Sequence, residues 1–160
     1  MVKHKIINGV SYETHESWGL RTFNEDNNLH SFKGQPAIID NYGSKFWYKN
    51  GKTHRGGDKP AVKYANGSRF WYKNGKKHRD GDKPAVIWLN GVKFWYRNGV
   101  SHRDNHKPAV IEGNHREWYV KGVKYTPDKP NEPTKPSKKQ IIKKIRKHSR
   151  KIDKLLKKLQ

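Results

Sequence analysis

A period of 24 residues constrains this chain more than anything else in it. Pro36, Pro60, Pro84 and Pro108 each open a Pro-Ala pair, and their neighbours keep step: His30, His54, His78 and His102; Gly43, Gly67 and Gly91; Trp47, Trp71 and Trp95; and the pairs Asn50-Gly51, Asn74-Gly75 and Asn98-Gly99. A chain of such copies stacks each unit on the next and buries apolar surface between them, with atypical units closing the ends. Extrapolated backwards, Gly19 falls on the glycine column, Phe23 on the tryptophan column and Asp26-Asn27 on the second turn, so residues 12–35 read as a worn first unit. Residues 108–126 form a fifth unit that is one residue short, with Trp118 and Tyr119 in the aromatic columns. Residues 1–11 offer only an Asn8-Gly9 turn.

Each unit spells out hairpins. Between Pro60-Ala61-Val62-Lys63-Tyr64-Ala65, Ser68-Arg69-Phe70-Trp71-Tyr72-Lys73 and Lys76-Lys77-His78-Arg79 stand two Asn-Gly pairs, the strongest short signal for a two-residue type I′ turn. Proline at the start of a strand removes a donor where it matters least, and residues 12–126 show no helical period. The expected fold is mainly β, an antiparallel meander of β-hairpin repeats over residues 1–126. A two-residue turn at Asn66-Gly67 would set Val62 opposite Trp71 and Lys63 opposite Phe70, sorting the side chains onto two faces. One carries Ala61, Lys63, Phe70 and Tyr72, with counterparts such as Ala85, Ile87, Phe94 and Tyr96, and is expected to make the core. The other carries Val62, Tyr64, Arg69, Trp71 and Lys73 and is expected to look partly to solvent. The opposite assignment, with tryptophan and valine packed inside, stays open.

The unit His-Arg-x-Gly-Asp-Lys-Pro-Ala-Val, followed by Asn-Gly and by Phe-Trp-Tyr-x-Asn-Gly, resembles the MORN-like repeats found in tandem in proteins of bacteriophages and large DNA viruses, and it covers residues 30–125. The resemblance implies an elongated antiparallel meander and a scaffold or binding role rather than catalysis. The chain departs from the usual MORN pattern in lacking Tyr-x-Gly near the start of the unit and paired glycines near its end.

After Tyr125 the character changes. Pro127, Pro130, Pro133 and Pro136 recur every three residues, the period of a polyproline II spacer, so residues 127–136 read as a stiff linker about 30 Å long. Ser137 and Gln140 fit a capping box, and Ile141, Ile145, His148, Ile152, Leu155 and Leu159 follow at alternating steps of 4 and 3. Residues 137–160 are therefore expected to form one basic amphipathic helix, with eleven Lys or Arg against the single Asp153.

Charge dominates the functional reading. Lys and Arg number 36 against 14 Asp and Glu, a formal net charge of +22 on 160 residues, which favours polyanionic partners. Without cysteine there is no disulfide framework or thiolate site, and the longest apolar runs, such as Val86-Ile87-Trp88-Leu89, are too short to span a bilayer. A cytoplasmic protein, neither secreted nor transmembrane, is expected. His78-Arg79-Asp80 and its equivalents suggest a metal or acid-base site, but a feature repeated in every unit reads as turn closure or inter-unit pairing, and the familiar catalytic motifs are missing. No enzymatic activity, metal or cofactor is expected.

The sharper signal is tryptophan flanked by cations: Lys45, Trp47 and Lys49; Arg69, Trp71 and Lys73; Lys93, Trp95 and Arg97; Arg116 and Trp118. That is the composition of a stacking platform edged by phosphate binders, as single-stranded nucleic-acid sites use, although tryptophan at a repeat's centre also serves to pack its neighbours. With Lys143, Lys144, Arg146, Lys147, Arg150, Lys151 and Lys154 of the tail, these residues are the candidate nucleic-acid-binding set, for DNA or RNA at low sequence specificity. The alternative is an interaction scaffold docking on acidic host or virion proteins, with anionic membrane association as a third reading.

Overall fold

In a computed structural model, residues 1–127 are described; the expected linker beyond Pro127, the tail helix and its seven candidate cations lie outside the described residues. Residues Met1–Thr126 form one compact unit. It is mainly β and antiparallel, with no helix among the described residues. Twelve strands pair in an antiparallel sheet that follows chain order, and three two-stranded hairpins branch from it.

The sheet begins with three longer strands, Lys3–Ile7, Val10–His15 and Gly19–Phe23. Asn8 and Gly9, at φ of 50° and 75°, make the first turn. From Ile38 each unit repeats one plan. Two short strands, for example Val62–Lys63 and Arg69–Phe70, join the long sheet. The chain runs on past Trp71 into Tyr72–Lys73, turns at Asn74-Gly75 and returns as Lys76–Lys77. Val110–Glu112, His115–Val120 and Val123–Tyr125 close the sheet.

The two Asn-Gly pairs of a unit do not make the same turn. At Asn50-Gly51, Asn74-Gly75 and Asn98-Gly99 both residues have positive φ, 49° and 73° in the first and 52° and 81° in the second, as a type I′ turn requires. At Asn66-Gly67 only the glycine is left-handed, at 92°. Tyr64 N–H donates to the Ser68 carbonyl and Gly67 N–H to the Tyr64 carbonyl, both at 3.0 Å, so three residues rather than two bridge the strands. Asn66 instead spends its side chain, accepting the Ser68 N–H at 2.9 Å. The Ser68 hydroxyl in turn accepts the Leu89 N–H of the next unit at 3.0 Å, as Ser44 does from Ala65 at 3.2 Å.

One added loop residue shifts the register and so moves one strand's side chains to the other face. Val62 lies opposite Phe70, and Lys63 opposite Arg69, which overturns the expected pairing. On one face Ile38, Phe46, Val62, Phe70, Val86, Phe94 and Val110 line up across neighbouring strands. Val62, Phe70 and Val86 are buried, with Phe46, Tyr72, Phe94 and Tyr96 packed on them. Each such buried side chain contributes about 1.5–3 kcal/mol. Edge-to-face contacts extend the stack from Phe46 through Tyr64 and Phe70 to Trp88, with ring centroids 4.9–5.9 Å apart.

The other face buries too, correcting the expectation that its tryptophans meet solvent. Ala37, Ala61, Ala85 and Ala109 are fully buried, and Trp47, Trp71 and Trp95 are only 4–6% exposed. Each ring is roofed by the arginine of the following loop: the guanidinium carbons of Arg55, Arg79 and Arg103 stand 3.6, 3.8 and 3.8 Å from the ring centroids.

Candidate nucleic-acid interface

The units are joined by a staple that explains the histidine column. Asn74 N–H donates to His54 Nδ1, Asn98 N–H to His78 Nδ1 and Lys121 N–H to His102 Nδ1, at 3.0–3.1 Å. The adjoining Gly75, Gly99 and Gly122 N–H groups donate to the carbonyls of Thr53, Lys77 and Ser101 at 2.9 Å. Nδ1 thus acts as an acceptor and leaves Nε2 to donate; in His78 and His102 it reaches Asp80 and Asp104 at 2.9 Å. These His-Asp pairs therefore hold turns, and among the described residues no group of three or more metal-ligating side chains gathers.

A second joint is ionic. Asp58 accepts two hydrogen bonds from the next unit's Arg79, at 2.7 and 3.2 Å, and one from Lys83 at 2.7 Å. Asp82 does the same with Arg103, at 2.6 and 3.2 Å, and Lys107, at 2.6 Å. These partners hold Asp58 well below the usual carboxylate range and Asp82 down to about 2.

With the tryptophans roofed over, what their face offers to solvent is charge. Across neighbouring strands run Ile39, Lys45, Lys63, Arg69, Ile87, Lys93, Ile111 and Arg116. Lys45, Lys63, Arg69 and Lys93 are exposed, and the ion pairs of lysine and arginine among the described residues engage Lys73, Arg79, Lys83, Arg97, Arg103, Lys107 and Lys124 instead. From Lys45 to Arg116 the row crosses six strand spacings, roughly 29 Å. Lys45, Lys63 and Arg69 are direct cross-strand neighbours, an arrangement of like charges that costs stability. Desolvation, and then repulsion from Arg55, Arg69, Lys45 and Lys59, lowers the pKa of the Lys63 ammonium.

The remaining sequence candidates divide. Lys49 is exposed beside its turn, opposite Lys52. Lys73 and Arg97 are neutralised by Asp80 at 3.5 Å and Asp104 at 2.6 Å. Arg116 donates to the carbonyls of Gly113 and His115, at 2.5 and 2.8 Å, and Trp118 Nε1 to the carbonyl of His106 at 3.1 Å. Lys63, central to the row, escaped the sequence reading because the assumed register put it on the apolar face. A cavity of about 660 Å³ beside the N-terminal strands, walled by Tyr12, Leu20, Phe32 and Ile39, meets the row only at its Ile39 end. No helix among the described residues is long and apolar enough to cross a membrane. No family model, curated protein or solved structure matches the chain.

Proposed function

We propose that this is a non-enzymatic, low-specificity nucleic-acid-binding protein of viral or phage type, working in the cytoplasm, with MORN-like repeats as a stiff β platform and the basic tail as a helical clamp on phosphates. The observation that carries the reading is the row Lys45, Lys63, Arg69 and Lys93, exposed and without carboxylate partners among the described residues. Placing like charges side by side is unfavourable unless an anion answers them, and phosphate neutralisation supplies most of non-specific nucleic-acid affinity. Binding here would be mainly electrostatic, since Trp47, Trp71 and Trp95, which could have stacked on bases, are buried.

The test is affinity for single- and double-stranded DNA and RNA as a function of salt. The logarithmic slope should be steep, and changing Lys45, Lys63, Arg69 and Lys93 to Gln should flatten it by about 0.7–0.9 for each phosphate no longer neutralised. Deleting residues 137–160 should flatten it again. A slope untouched by either change overturns the reading.

A scaffold function has one observation of its own. Trp88 and Leu89, at the tip of a sheet turn, are 41% and 69% exposed, an apolar spot suited to a protein partner. Trp88→Ala separates the two: loss of an acidic protein partner with nucleic-acid affinity intact favours the scaffold.

A further inference from the structure

The ionic joint between units is complete at two junctions and half-built at a third. Arg55 and Lys59 occupy the positions of Arg79 and Lys83, and of Arg103 and Lys107, one repeat earlier. Arg55 is roofed onto Trp47 just as its equivalents are on their tryptophans, and it donates to the Pro60 carbonyl at 3.3 Å as Arg79 and Arg103 do to Pro84 and Pro108. Where those junctions carry Asp58 and Asp82, this one has Gly34. A Cβ built on Gly34 would meet nothing within 4 Å, so the carboxylate's place is open. The backbone there has the same hand as at Asp58, with φ of 76° against 52°, and its carbonyl accepts the Trp47 indole N–H as Asp58's accepts that of Trp71.

We infer that Arg55 and Lys59, facing Gly34, form a binding site for a single oxyanion, a phosphate or carboxylate group that completes the joint in place of the missing aspartate. The guanidinium edge that grips Asp58 and Asp82 elsewhere, Nε with one terminal nitrogen, has no partner here among the described residues, and a planar fork held on an indole is pre-organised for two oxygens. Lys63 strengthens the site. Its Nζ lies 5.8 Å from the centroid of the Trp47 ring that carries Arg55, and its repeat equivalents are the neutral Ile87 and Ile111. Three cations therefore meet where the sibling junction has two cations and an aspartate. At the far end both halves are lost together, with His106 in the acidic position and Thr126 where the arginine would stand. The retained cations at Arg55 and Lys59 are thus the exception. This inference does not rest on nucleic-acid binding, since a small anion suffices to occupy the site.

The experiment titrates the full chain with inorganic phosphate, and separately with acetate, at constant ionic strength, following the arginine Nε–H resonances by NMR. The Arg55 resonance should shift saturably, while those of Arg79 and Arg103, already engaged, stay still. Gly34→Asp should supply the carboxylate and weaken the response about tenfold or more, whereas Gly34→Asn, with the same backbone demand and no charge, should keep it. Preference for phosphate over acetate assigns a phosphoryl ligand; equal response assigns a carboxylate as well. An Arg55 resonance indifferent to both anions, or one that moves as much in Gly34→Asp as in the parent, overturns the site.

Discussion

The two faces of the long sheet come from the same two-residue strands, yet they settle their energetics in opposite ways. One sets Phe46, Val62, Phe70, Val86, Phe94 and Val110 side by side and gains from every contact. The other sets Lys45, Lys63 and Arg69 side by side, loses a little at each step, and recovers stability one layer along through the alanines and arginine-roofed tryptophans. Burial alone does not tell the faces apart, for both have buried rings. What separates them is whether the outward positions carry charge that nothing within the described fold neutralises.

The largest effects should come from rings on both faces. Phe70→Ala should cost about 3–5 kcal/mol in urea unfolding, and Trp71→Ala a similar amount because it also strips the support from Arg79. A Trp71→Ala chain that kept its stability and lost only nucleic-acid affinity would restore the exposed platform and erase the comparison. Next in size, His78→Ala removes the acceptor for the Asn98 N–H and should cost about 1 kcal/mol.

Acid should act through the ionic joints. The folded pKa of Asp82, about 2, lies below an unfolded value of about 3.9, so its stabilisation is present above pH 4 and is lost as the pH falls toward 2. Both aspartates are about two-fifths exposed, so the effect is screened and modest. Asp58→Asn with Asp82→Asn should flatten this part of the acid limb of the stability curve, and an unchanged limb would place the acid sensitivity elsewhere.

The smallest effect on stability should come from the cation row. Lys63→Gln should leave stability level or raise it by about 0.2–1 kcal/mol, since it removes like-charge contacts with Lys45 and Arg69. A clear loss of stability would show that the row is structural after all.

Part of the register was legible in the sequence alone. Asn occupies the second turn in all three central units, at Asn50, Asn74 and Asn98, as a pair of positive φ angles demands. The first turn has Tyr42-Gly43 in one unit where the others have Asn66-Gly67 and Asn90-Gly91. Tyrosine is a poor residue for positive φ, so that column already indicated that only its glycine is left-handed. Reading both pairs as the same turn puts Lys63 on the wrong face and leaves that one cation out of the row. The arginine roofs were partly legible as well, in the fixed spacing of arginine, aspartate and lysine from unit to unit, but nothing local says that a guanidinium will lie on an indole eight residues earlier.

By itself the sequence settled the repeat, the β character of the units and the surplus of positive charge, because periodicity, turn chemistry and charge are properties of neighbouring residues. Which side chains share a face, and which cations lack an acid, was decided only in the folded chain. Those questions depend on register and on contacts between residues 20 or more positions apart, where Ser68 reaches Leu89 and Asp58 reaches Arg79, and a single extra residue in a loop reverses the answer.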